Sequence, residues 1–251
     1  MDNLSFTDML AAIEDRSVAL RAAARGALEA RVPGCPDWSV SDLVAHVAEV
    51  QLIWTAAVGA GEAAGPPDPE IVGDTTPHGD LLAWSADATD RLLLELRNAG
   101  PGRMCWTWWE SSGAPMTSGA VARHQVQEAA VHAYDAQQAA RQPQPIPEAV
   151  AADGVAEYLT VELLTNGPWP YEPAVVVLET GPGGSWVIDL DTPAVRVLRG
   201  SDHGSAKPVA TVTADPSDMV LAFYRRDPIG KLRIDGDPDL VPRLLAWPNL
   251  D

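Results

Sequence analysis

Cationic side chains and cysteines are scarce in this chain, and each shortage excludes something. Only 17 Lys and Arg stand against 35 Asp and Glu, giving a formal net charge of −18. A phosphate backbone needs a basic surface, so nucleic acid is excluded as a partner. An anionic membrane surface is excluded for the same reason. The two cysteines, Cys35 and Cys105, have no C-x-x-C spacing and allow one disulfide at most. A reduced, cytoplasmic chain is the simpler reading. The opening residues MDNLSFTDMLAAIEDR lack the basic start and apolar core of a signal peptide. No run is read as reaching the ~20 apolar residues of a membrane span. There is no G-x-S-x-G, no P-loop and no Rossmann fingerprint, and neither cysteine has the context of a catalytic nucleophile.

What is abundant is apolar side chain, at 46% of the 251 residues, enough for one large or two small cores. The first half reads as four helices. Residues 4–30 carry Leu4, Met9, Ile13, Leu20 and Leu28 at helical spacing. RVPGCPDW breaks that pattern. Ser39-Val40-Ser41-Asp42 has the form of a capping box, with Asp in place of the usual Glu, and opens a second helix to about Val58. After a Gly/Pro-rich loop, a third helix runs from about His78 to Asn98, opened by Thr76-Pro77 and stopped by Gly100. The tryptophan-rich MCWTWWESSGAP precedes a fourth helix from about Thr117 to Arg141. Together these give a four-helix bundle over residues 1–142. QPQPIP, residues 142–147, marks a boundary. Residues 148–251 then read as a small α+β domain: a helix from Glu148 to Thr165, the β-branched runs AVVVLET, SWVIDL, AVRVLRG, PVATVTA and KLRIDG, and two short helices in DPSDMVLAFYRRD and DPDLVPRLLAW.

Chemistry gathers on helices two and four. Glu128 and His132 are four residues apart, hence one turn apart on one face. His46 lies on the apolar stripe of its helix with Leu43, Val50 and Ile53, pointing inward. A carboxylate and two imidazoles can hold one divalent cation and leave a fourth position open, as catalytic zinc sites do. Zn2+ suits this donor set, and Fe2+ uses the same one. Asp135, on the same stripe, is placed to accept a hydrogen bond from the second nitrogen of a ligand imidazole. His124, one turn before Glu128, is a rival ligand. Competing explanations are ordinary: a hydrogen-bonded core histidine for His46 and a solvated polar face for helix four. Trp106, Trp108 and Trp109 either line a pocket or fill core. Arg225 and Arg226 end an apolar run and are either surface arginines or a carboxylate anchor.

Three segments in order carry a family resemblance. CPDWSVSDLVAHVAEV resembles the Cys-Pro-Gly-Trp-(Ser/Thr)-Val-x-Asp-Leu-x-x-His segment of the mycothiol-dependent maleylpyruvate isomerase family, which belongs to the DinB-like metalloenzymes. EAAVHAYDAQ resembles its Glu-x-x-x-His-x-x-Asp signature, and the stretch from ATVTADPSD to RLLAW its C-terminal domain. The resemblance implies a DinB-like four-helix bundle followed by a sterol-carrier-like α+β domain. It implies Zn2+ held by His46, Glu128 and His132, with mycothiol as cosubstrate, and a role in activity for Arg226. Here Arg225 replaces the glycine before that arginine, while Gln127 and His124 stand where relatives often have His and Arg. The implied activity is attack of a thiolate on a small electrophile. It ends in cis–trans isomerisation if the thiol leaves again and in S-transfer if it stays. The alternative from another class is a non-catalytic metal-binding bundle acting as a stress or interaction protein. The sequence does not separate a monomer from a homodimer.

Overall fold

The computed structural model describes residues 4–181, 184–191, 194–202, 204, 207–226 and 229–250. The start of the N-terminal reading (residues 1–3) and the Asp227 that closes the DPSDMVLAFYRRD run lie outside the described residues. The chain forms two compact units. One comprises Leu4–Glu110 with Pro115–Ile146, the other Ser111–Ala114 with Pro147–Asp251. The fold is a two-domain α+β arrangement with a helical N-terminal part and a sheet-containing C-terminal part.

In the helical unit, α1 (Phe6–Ala24), α2 (Val40–Ala60), α4 (Leu81–Ala99) and α5 (Ser118–Ala139) form the bundle, and α3 (Pro69–Val72) is a single turn in the Gly/Pro loop. Each of α1 and α2 packs against both α4 and α5. The capping box at α2 is present in full: Ser39 Oγ accepts from the Asp42 amide, and Asp42 accepts from the Ser39 amide at 2.9 Å. Two expected boundaries move. Helix α1 ends at Ala24 rather than near residue 30, because Gly26 adopts φ +77° and turns the chain. Helix α4 starts at Leu81 rather than His78. Asp80 caps it by accepting from the Ala83 amide at 2.9 Å, a stronger cap than Thr76-Pro77 offers. The supposed break RVPGCPDW contains a two-stranded hairpin, β1 (Arg31–Val32) with β2 (Cys35–Ser39). Val32 is fully buried there among Leu20, Ala24, Leu43, Val44, Val47, Ala133 and Ala136.

A further correction concerns α2. At 21 residues it is long and apolar enough to cross a membrane on length and composition, contrary to the sequence reading. In the fold its apolar residues, among them Val40, Leu43, Val44, Val47 and Ala48, are core of the bundle. Helix α5 also departs from a two-faced reading. Its alanine-rich side and its polar stripe are both buried, from Ala129, Ala130, Ala133 and Ala136 to His124, His132 and Asp135. Small side chains on α5 let its neighbours approach closely, so the polar stripe ends up in the interior.

In the second unit, α6 (Glu148–Thr160) is followed by a short 3-10 turn (Leu163–Thr165), so the single helix expected to Thr165 ends one turn early. The β-branched runs form one five-stranded sheet of β3 (Ala174–Glu179), β4 (Ser185–Leu190), β5 (Arg196–Arg199), β6 (Ala210–Thr213) and β7 (Arg233–Gly236), in the order β5-β4-β3-β6-β7. All neighbours are antiparallel except β3 and β6. Helices α7 (Pro216–Phe223) and α8 (Leu240–Ala246) complete the unit. Tyr158 of α6 stacks on Phe223 of α7 with ring centroids 4.3 Å apart.

Candidate metal centre

Packing of α2 against α5 brings His46 to the pair on α5. His46, Glu128 and His132 each offer a ligand atom, and these atoms lie within 4.8 Å of one another. Among the described residues this is the one cluster of three or more His, Cys, Asp or Glu that could hold a metal ion. The His132 Nε2 lies 3.5 Å from Glu128 Oε2, and the rings of His46 and His132 meet edge to face at 5.4 Å. Asp135 is wholly buried and sits 3.0 Å from His132 Nδ1. An ionised carboxylate only accepts, so Nδ1 donates its proton to Asp135, and Nε2 is the nitrogen that faces the cluster. That orientation, with two imidazoles and one carboxylate converging, fits Zn2+. The side chain of Glu128 remains 24% exposed, so the cluster is reachable from outside the bundle core.

Electrostatics follows from this crowding. Burial and the neighbouring His132 hold the pKa of His46 below its usual value, keeping it a neutral donor. For Glu128, burial opposes ionisation, but the hydrogen bond and charge of His132, with His124 and His46 behind it, outweigh burial and bring the carboxyl down to about 2. Burial likewise works against a charged His132. Hydrogen bonds to Asp135 and Glu128 win, and its pKa rises to about 9. In the metal-free protein His132 therefore carries a proton at neutral pH that a cation must displace.

The rival ligand His124 stands apart from the group of three. Its Nε2 lies 3.9 Å from Glu128 Oε1, on the other oxygen from His132. Trp54, Trp108 and Trp109 surround its ring at centroid distances of 6.0, 5.6 and 5.3 Å. Trp109 is fully buried, and its indole N–H donates to the Pro115 carbonyl at 3.1 Å. Two aromatic contributors escaped the sequence reading. Trp38, on β2, packs on His46 with centroids 4.7 Å apart, and Trp54 of α2 joins the tryptophan loop. The only signal for Trp38 in the sequence is its place in the CPDW segment. Arg225 and Arg226 belong to the second unit. Arg225, at φ +60°, donates Nε–H and Nη2–H to the carbonyls of Leu245, Ala246 and Pro248 and so closes the end of α8. Arg226 donates Nη1–H to the Tyr224 carbonyl at 2.7 Å.

Comparison with known proteins agrees with this architecture. Residues 10–137 match the family described as "Mycothiol maleylpyruvate isomerase N-terminal domain", and residues 149–243 match the "MDMPI C-terminal domain". A crystal structure of the mycothiol-dependent maleylpyruvate isomerase is similar to this chain at a TM-score of 0.61 and 15% identity, over 94% of this chain and 96% of that one. A single-site mutant of that enzyme gives a TM-score of 0.61, 14% identity and the same coverage. At such identity the likeness establishes the fold. No curated protein sequence matches the chain. With one domain matched across each unit, the chain belongs to the mycothiol maleylpyruvate isomerase family.

Proposed function

We propose that this protein is a metal-dependent enzyme that activates a low-molecular-weight thiol, mycothiol, for attack on a small electrophile. The observation that carries the reading is the convergence of His46, Glu128 and His132, with Asp135 fixing the His132 tautomer. Zn2+ bound there would keep one position open and hold a thiol of pKa ~8.5 as its thiolate at neutral pH. Each residue then has its own task. Asp135 keeps the His132 Nε2 lone pair aimed at the cluster. Glu128 supplies the one negative charge against a dication. Trp38 packs on the ring of His46 and restricts its rotation. Arg226 is proposed as the anchor for an anionic group on the substrate, a role that rests on the family pattern. Addition of the thiolate to an activated cis double bond, rotation and expulsion of the thiolate return the trans isomer. On an electrophile with a leaving group, sulfur stays and the product is a thioether.

Metal analysis of the purified protein, coupled to turnover with mycothiol and a panel of electrophiles, tests the reading. One equivalent of zinc is expected, with turnover lost in Glu128→Gln and in His132→Ala. Protein that holds no stoichiometric metal, or turnover that survives both substitutions, sinks it. A bundle that binds zinc but turns over no thiol substrate is the non-catalytic binding protein instead.

A further inference from the structure

The two oxygens of Glu128 face different histidines. Oε2 lies toward His132 Nε2 at 3.5 Å, and Oε1 lies toward His124 Nε2 at 3.9 Å. His124 is 5% exposed, and its ring is held among Trp54, Trp108 and Trp109, which come from α2 and from the loop before α5. That loop is itself pinned to the start of α5. Cys105 donates its amide to the Met116 carbonyl at 3.2 Å, and Ser118 its amide to the Arg103 carbonyl at 2.8 Å. An imidazole clamped between one ring of α2 and two rings of a pinned loop has few rotamers, so its Nε2 is a fixed point.

Resting on the reading that His46, Glu128 and His132 hold zinc, we infer that His124 is a positioning residue that fixes how Glu128 presents its carboxylate to the metal. At 3.9 Å the approach of His124 Nε2 to Oε1 is of ion-pair rather than hydrogen-bond length, and a proton on Nε2 draws Oε1 toward it and leaves Oε2 to join the two ligand nitrogens. A carboxylate free to rotate would swing both oxygens onto a small dication and close the position that the thiol needs. A carboxylate held through one oxygen binds through the other. His124 is thus a support for the ligand rather than a fourth ligand. Residues that orient a ligand from outside the coordination sphere commonly tune metal affinity by about 10-fold to 100-fold.

The test uses the full chain and three variants at position 124. His124→Phe keeps a ring in the tryptophan cage and removes the donor. His124→Gln places an amide N–H where Nε2 was, and His124→Met gives a donor-free comparison if Phe prevents folding. Two quantities are read: zinc affinity by chelator competition, and the visible absorption of the cobalt-substituted protein, which reports coordination number. The expected result is a roughly 10-fold to 100-fold loss of zinc affinity in the Phe or Met variant. Its cobalt bands should be weaker, as a fifth donor enters, and the Gln variant should return to within a few-fold of wild type. Wild-type affinity and an unchanged cobalt spectrum in the donor-free variants overturn the inference while the zinc reading stands. If the unmodified protein binds neither ion, the parent reading fails and the inference falls with it.

Discussion

At the scale of single residues, the site is a problem of where protons sit. His132 in the metal-free protein has its pKa raised to about 9 by Asp135 and Glu128. Its folded value lies above the ordinary ~6.5, so the protonated form contributes stability that is complete below about pH 6.5 and fades as pH rises to about 9. Zinc binding at pH 7.5 must expel that proton. Titration calorimetry in two buffers of different ionisation enthalpy should show about one proton released per zinc, and none from this group in His132→Ala. A buffer-independent heat in the unmodified protein would contradict a protonated His132. Glu128 behaves oppositely. Its pKa is depressed to about 2, so its contribution is present above the ordinary value of ~4.3 and is lost as pH falls toward 2. Arg226 is tested separately. Its replacement by Ala should raise KM for an anionic substrate by roughly 10-fold to 100-fold, the weight of one charge-assisted hydrogen bond, and leave zinc content unchanged. An unchanged KM points to a neutral electrophile. Glu128 and His132 could be paired in the sequence because spacing on one helix is a local property, whereas the approach of His46 to them depends on the packing of α2 on α5. The aromatic supports were not legible there: Trp38 reaches His46 by the fold-back of β2 on α2, and Trp54 reaches His124 by the packing of α2 on α5, neither of which a helical spacing encodes.

At the scale of elements, caps decided which boundaries could be read. Ser39 and Asp42 announced the start of α2, and Gly100 the end of α4, because each satisfies orphan backbone groups with chemistry visible in the sequence. The end of α1 was overrun because Ala27, Leu28 and Ala30 continue a helix-favouring composition past a Gly26 whose positive φ is invisible without the fold. The five β-branched runs gave the strands, whereas the parallel pairing of β3 with β6 depends on distant partners. Two substitutions probe these elements. Ser39→Ala removes the acceptor for the Asp42 amide and should cost about 1 kcal/mol, seen as a lower denaturation midpoint at unchanged slope. Because α2 carries His46, zinc affinity in this variant reports whether the cap also sets the ligand. In the second unit, Gly236 closes β7 at φ +105°, and a Cβ there would clash with the Val209 carbonyl oxygen. Gly236→Ala therefore combines a left-handed backbone with a clash against unyielding backbone and should destabilise by at least about 2 kcal/mol. A midpoint within error of the parent would mean that β7 can shift from its pairing with β6.

At the scale of the whole molecule, the three candidate ligands all belong to the helical unit, on α2 and α5, and among the described residues the sheet contributes none to the cluster. A chain of net charge −18 repels itself, and a bound dication both relieves that repulsion and ties two helices together. A ligand that binds only the native state stabilises it by mass action, about 2.7 kcal/mol when free ligand is 100 times Kd. For a domain of this size each kcal/mol raises Tm by roughly 2–4 °C, so saturating zinc should lift the melting of the protein by about 5–11 °C. Neither Glu128→Gln nor His132→Ala should show the shift. Hydrogen exchange locates the effect. Added protection is expected first at the amides of α2 and α5 around His46 and Glu128, and least in the strands of the five-stranded sheet. Protection that rises equally in both units would show that they unfold as one cooperative body. Protection confined to the sheet would place the metal away from the three residues and remove the basis for a thiol site in the bundle.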